Sequence, residues 1–234
     1  MLNTLEKESK LCGLQINRQK TFAMTNSAKI PIITESSQIE YVDQYIYLGK
    51  IISFTQLTSN EVDRRIKLAW SKYWSLKTIF KSKLPIHLKR KAMDSIVLPT
   101  LLYGCQTWTL TKDIIQKINV FQRATERSML NIKKRDRKRN CDIRKITKVT
   151  DAAELACRLK WRWAGHIVRT TDNRWSEKIL HWHPLENKRA AHRPKQRWVD
   201  DIVKVAEHAW TRKAKDRTVW KELEEAFARH WAPQ

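Results

Sequence analysis

Tyr41-Val42-Asp43-Gln44-Tyr45-Ile46-Tyr47-Leu48-Gly49-Lys50-Ile51-Ile52-Ser53 is the stretch on which the fold turns. Its Tyr, Ile and Val content suits strands, and the lone Gly49 marks a tight reversal, so it reads as strand, turn, strand. Just downstream, Thr58-x-x-Glu61 has the spacing of a capping box. It opens a helix with apolar residues at Val62, Ile66, Ala69, Trp70, Tyr73, Trp74 and Phe80. That stripe is wide enough to face a core, with Arg64, Arg65, Lys67 and Lys72 elsewhere on the cylinder. Upstream, Leu2, Leu5 and Leu11 have helical spacing that Gly13 can end, and Thr21–Met24 and Ile30–Ile33 are short strand candidates.

Helices dominate the remainder. Pro85 suits the first turn of one helix, and Pro99 is expected to stop it. Thr111 starts another, with Ile114, Ile118, Phe121, Thr125 and Met129 on one face. Lys133 to Arg139 then holds six basic residues and one acid in seven positions, with no apolar face, and reads as a solvated subdomain border. Asp151-x-x-Glu154 caps a helix through Leu155, Leu159, Trp163 and Ile167. A looped stretch with Asp172-Asn173 and His183-Pro184 follows, then helices over about Gln196–His208 and Lys213–His230. The expected fold is mainly α with a small N-terminal β element.

The charge narrows the function. Among 234 residues, 47 Lys+Arg against 24 Asp+Glu leave +23, a self-repelling surplus that calls for a polyanionic partner. The basic residues are spread along the chain and interleaved with tryptophan, which favours nucleic acid over a membrane surface. No apolar run approaches a membrane span, and the start lacks signal-peptide features. The scattered Cys12, Cys105, Cys141 and Cys157 read as reduced thiols in a soluble, nuclear and cytoplasmic protein.

Several strings carry a resemblance. Gly13-Leu14-Gln15-Ile16-Asn17 with Lys20-Thr21, then Tyr45-Ile46-Tyr47-Leu48-Gly49, stand in the order and rough spacing of non-LTR retrotransposon reverse transcriptases. Leu98-Pro99-Thr100-Leu101-Leu102-Tyr103-Gly104-Cys105-Gln106-Thr107-Trp108 is similar to a run typical of those elements. Lys160-Trp161-Arg162-Trp163-Ala164-Gly165-His166-Ile167-Val168-Arg169 and Arg193-Pro194-Lys195-Gln196-Arg197-Trp198-Val199-Asp200-Asp201-Ile202 resemble two blocks of the RTE-like branch. The resemblance implies a palm end with a primer-grip hairpin over 1–56, a helical thumb over 57–132, a basic linker over 133–149 and a Trp-rich helical region over 150–234. It implies RNA and DNA partners (primer–template, element RNA, target DNA) and a missing N-terminal palm and fingers. The paired-aspartate motif that holds two Mg²⁺ in the complete enzyme does not precede Leu2, so the expected piece binds and does not polymerise alone. The competing expectation is a retained, non-enzymatic RNA/DNA-binding protein.

The resemblance places Lys20 near nucleotide phosphates, and Tyr45, Tyr47 and Gly49 at the primer backbone. Arg64, Arg65, Lys72, Lys89 and Arg90 suit phosphate tracking along the thumb. Lys133, Lys134, Arg135, Arg137, Lys138 and Arg139 form the densest basic run. Arg162, His166, Arg169, Arg193, Lys195 and Arg197 flank tryptophans, a pattern suited to stacking and phosphate pairing. Each has a plainer alternative: a surface lysine, an amphipathic hairpin, a solvated helix face, or tryptophans that are mostly core. Asp200-Asp201 point about 100° apart on a helix and do not converge on a metal. His166, His181, His183 and His192 with Cys141 and Cys157 lack zinc spacing, so neither metal nor cofactor is expected in this chain.

Overall fold

The computed structural model describes residues 1–34, 37–54, 57–171, 175–181 and 196–231. The chain divides into two compact units, Met1–Glu61 and Val62–Gln234.

In the first unit, helix α1 (Leu2–Leu11) ends as expected, with Gly13 at φ +74°. Strands β1 (Phe22–Ala23), β2 (Ile32–Thr34) and β3 (Ser37–Tyr41) form a sheet in the order β1-β3-β2, parallel between β1 and β3 and antiparallel between β2 and β3. Sequence reading gave no separate strand at β3. Strands β4 (Gln44–Tyr47) and β5 (Lys50–Ser53) make the expected hairpin, with Tyr47 opposite Lys50. Its two turn residues, Leu48 and Gly49, both have positive φ (48° and 75°), the twist-matching choice for a two-residue hairpin. Among the described residues of this unit, Ile51 is the one buried hydrophobic side chain, while Leu5 and Phe22 stand exposed.

Helix α2 (Leu57–Ser75) crosses from one unit into the next. Thr58 lies inside it rather than at its cap. The Glu61 carboxylate instead accepts from the Ile51 N–H at 2.9 Å. Ile51 belongs to a pair whose N–H points away from β4, so Glu61 satisfies an otherwise open sheet edge.

In the second unit, α3 (Lys77–Phe80) and α4 (Ile86–Ala92) follow. Pro99 does not stop the helix: a π-helical stretch, Met93–Val97, runs straight into α5 (Leu98–Leu101), where proline sits in the first turn. The widened turn removes the clash that an α-helical proline makes with the carbonyl four residues back. The helix ends one turn later, before Gly104 at φ +74°. Helix α6 (Lys112–Met129) starts at Thr111, whose hydroxyl accepts from the Ile114 N–H. Its carboxyl end is capped by lysines: Lys81 Nζ reaches Ser128 O, and Lys89 Nζ lies 3.5 Å from Met129 O.

Beyond the basic run comes α7 (Asn140–Thr147), which buries Ile143 and Thr147. This short amphipathic helix packs on α6. Helix α8 (Ala152–Arg169) starts at Asp151, which accepts from the Glu154 N–H at 2.9 Å as expected. Helix α9 (Trp175–His181) is an addition to the looped stretch; Asp172-Asn173 and His183-Pro184 lie outside the described residues. Helix α10 (Asp200–Ala206) starts four residues later than expected, and the last helix is two. Asp216 ends α11 (Trp210–Lys215) and caps α12 (Arg217–His230) by accepting from the Thr218 and Val219 N–H groups.

One core runs through the second unit from Val62 to Trp231. Its centre is a tryptophan pair. Trp161 and Trp220 stack at 3.9 Å and 10°, and each indole N–H donates to the other's backbone carbonyl, at 2.8 and 3.0 Å. Gly165 makes room for this pair, since a Cβ there would sit 2.3 Å from Trp220 Nε1.

Candidate nucleic-acid interface

In the first unit, Lys20 is exposed at the end of a 3₁₀ turn (Arg18–Lys20). Its backbone carbonyl accepts from the Tyr45 hydroxyl at 3.2 Å, and the Tyr45 ring packs on Phe22 with centroids 5.9 Å apart. The two motifs read separately from sequence are thus hydrogen-bonded to each other. Tyr45 and Tyr47 share one face of the hairpin with Lys50, because side chains alternate along a strand. Tyr45 is half-buried and Tyr47 is 57% exposed, so Tyr47 is the tyrosine presented outward. Burial pushes the Lys50 pKa down, and the nearby Glu61 charge pushes it back up.

In the second unit, Lys72 is exposed and Arg64 and Arg90 are half-buried on their helices. Arg65 and Lys89 are turned inward. Arg65 is 6% exposed, with its guanidinium 4.5 Å above the Tyr103 ring. Lys89 is equally buried and donates to Ser82 O at 2.8 Å. Both are held inward by packing that a helical-wheel reading does not see. Lys133, Lys134, Arg135, Arg137, Lys138 and Arg139 are all exposed. Asp136, the acid among them, accepts from the Lys133 backbone N–H at 2.7 Å.

Arg162, His166 and Arg169 fall on one face of α8 at i, i+4 and i+7. His166 is exposed. Arg162 is 62% exposed although it pairs with Glu224 at 2.7 Å, and Arg169 is turned in to donate to Ala214 O. Arg197 is exposed; Arg193 and Lys195 lie outside the described residues.

The family-like strings converge on a buried clasp that was not anticipated. Lys160 Nζ sits 2.7 Å from Asp201 Oδ2 and donates to Trp198 O at 2.7 Å. The Trp198 indole donates to Gln106 O at 2.8 Å and meets Trp163 edge-on at 5.5 Å. Asp200, by contrast, accepts from the Arg197 N–H at the helix start. Burial raises the Asp201 pKa and lowers that of Lys160, while each charge pulls the other back. Asp201 thus neutralises a buried lysine. One sequence signal was available, since Lys160 occupies the apolar stripe of Ala153, Ala156, Ala164 and Ile167.

A second buried network joins α6 to α8. Arg123 grips Glu126 at 3.0 and 3.1 Å, and Gln122 donates to Glu126 and accepts from the Ala152 N–H. Arg144 reaches Asp151 at 2.7 Å. Among the described residues no cluster of three His, Cys, Asp or Glu side chains is arranged to hold a metal, and no helix is long and apolar enough to cross a membrane.

No model of a known protein family matches the chain, and no solved structure does. A protein of Caenorhabditis elegans described as transposon-derived is 31% identical over 204 residues, covering 82% of this chain and 73% of the relative. The chain belongs to this family of transposon-derived proteins.

Proposed function

We propose that this chain is the nucleic-acid-holding portion of an RTE-like non-LTR retrotransposon reverse transcriptase, with a grip-like hairpin followed by a basic helical bundle. The observation that carries the reading is the Tyr45–Lys20 hydrogen bond, which ties the palm-like segment to the hairpin that presents Tyr47. A transposon origin and a charge of +23 agree with it. The residues present do not fit the metal pair of polymerisation. Asp200 and Asp201, the one adjacent aspartate pair in the sequence, are engaged by the Arg197 N–H and by Lys160.

Single-stranded RNA or DNA should bind with little sequence preference, mainly through phosphates. About six phosphate contacts give a log–log salt slope of roughly −4 to −5, readable by fluorescence anisotropy; a flat response contradicts the reading. Neutralising the six basic residues of Lys133–Arg139 should weaken binding to every sequence and flatten that slope. Unchanged binding would make the run a solvated loop. Templated nucleotide incorporation by the purified chain would overturn the division of labour.

The second reading, a binding protein retained without an enzyme, is favoured by the continuous core of the second unit. Tyr47→Ala separates the two. A loss confined to primer–template junctions supports the grip. No loss, with the basic-loop variant still impaired, supports the retained binder.

A further inference from the structure

From Arg64 to Met93 the chain runs thirty residues with ten lysines and arginines and no aspartate or glutamate. Arg65 and Lys89 are turned inward, but Lys67, Lys72 and Lys77 are exposed. Lys81 has its pKa lowered first by burial and then by the charges of Lys89 and Lys77.

Trp74 lies on α2 within this stretch, on the side of Lys67. The apolar stripe of α2 points it at the core, yet it is 47% exposed. Its inner side is held by an aromatic ladder: Trp70 lies nearly parallel at 6.2 Å and 16°, and Tyr73 meets it edge-on at 5.3 Å. The ladder is rooted in the core, since Tyr73 stacks on Phe80 at 4.4 Å and Trp70 meets Phe121 at 5.1 Å. An indole already held by two ring contacts, yet 47% exposed, loses little freedom when a further flat ring joins it. Lys67, seven residues earlier, lies on the same helical face.

We propose that Trp74 is a stacking platform for an unpaired base, with Lys67 and Lys77 on the flanking phosphates, so that this surface takes single-stranded RNA or DNA in preference to duplex. A base within a duplex is covered on both faces by its neighbours, whereas a single strand offers a free π-face at each nucleotide. A second copy docked through the same surface is a poor occupant, because it would bring the same acid-free stretch against this one. The proposal rests on the nucleic-acid reading above.

The test titrates the full chain against a labelled oligo(U) strand and a duplex of equal length. Trp74→Ala should weaken single-strand binding roughly 5- to 100-fold and leave duplex binding and the salt slope in place, with a cooperative thermal melt showing that the chain is still folded. Trp74→Phe should recover most of the loss. Equal weakening on both probes, or none on either, overturns the platform while leaving the phosphate-binding reading intact. Binding of neither probe by the parent chain overturns both.

Discussion

Lys160 Nζ lies 2.7 Å from Asp201 Oδ2, and neither side chain is exposed to solvent. Two charges 41 residues apart are thus buried together, with the Trp198 carbonyl as a further acceptor. Removing one partner strands the other. Lys160→Met or Asp201→Leu alone should each cost about 3–5 kcal/mol in urea unfolding, whereas the double variant should recover most of it. Additive losses in the double-mutant cycle would mean that the pair is not coupled.

Gly165 lies under the Trp161–Trp220 stack. The Cβ of Gly165→Ala would come within 2.6 Å of two indole atoms of a ring held by stacking and a hydrogen bond. Overpacking of this kind costs about 1–3 kcal/mol despite alanine's better helix propensity. A melting temperature equal to or above the parent's would show that the pair slides aside without cost.

The four thiols should divide by burial. Cys12 and Cys141 are exposed, while Cys105 and Cys157 are buried. Burial pushes the Cys105 pKa up to about 12, and raises Cys157 as well, with Asp201 adding to the rise. An aromatic disulfide reagent at neutral pH should label two thiols quickly and the other two only as the chain unfolds. Four fast thiols would contradict the packing of Cys105 beneath α8.

Glu225 should titrate below the ordinary glutamate value, because Arg158 donates to it at 2.5 Å and Arg229 at 3.1 Å. A depressed folded pKa gives stability that is present above the unfolded value of about 4.3 and is lost as pH falls through the folded value. Carboxyl NMR should show the low midpoint, and Arg158→Gln should raise it toward the ordinary value. An unchanged midpoint in that variant would assign the shift to Arg229.

Local signals were read well where the chain itself carries the geometry. Gly49 marked the hairpin turn, Thr111 and Asp151 capped their helices, and the stripe from Ile114 to Met129 went inside. Misreadings arose where a remote group intervenes. Thr58-x-x-Glu61 resembles a cap, but the β5 edge claims the glutamate. Pro99 reads as a stop, yet the π turn absorbs it. The candidate interface divided in the same way. The basic run 133–139 is exposed because no apolar residue draws it inward, whereas Arg65 and Lys89 carry the same charge and are buried.

The amino-acid order alone determined a small β element, a helical remainder, a polycationic surface and the strings that resemble a retrotransposon enzyme. These follow from spacing, turn chemistry and net charge, which need no knowledge of distant neighbours. Only the tertiary structure decided which charges face solvent and which tryptophans are open. Burial is set by residues such as Trp198 and Trp220, which reach their partners across 92 and 59 positions of chain. Periodicity within one helix does not contain that information.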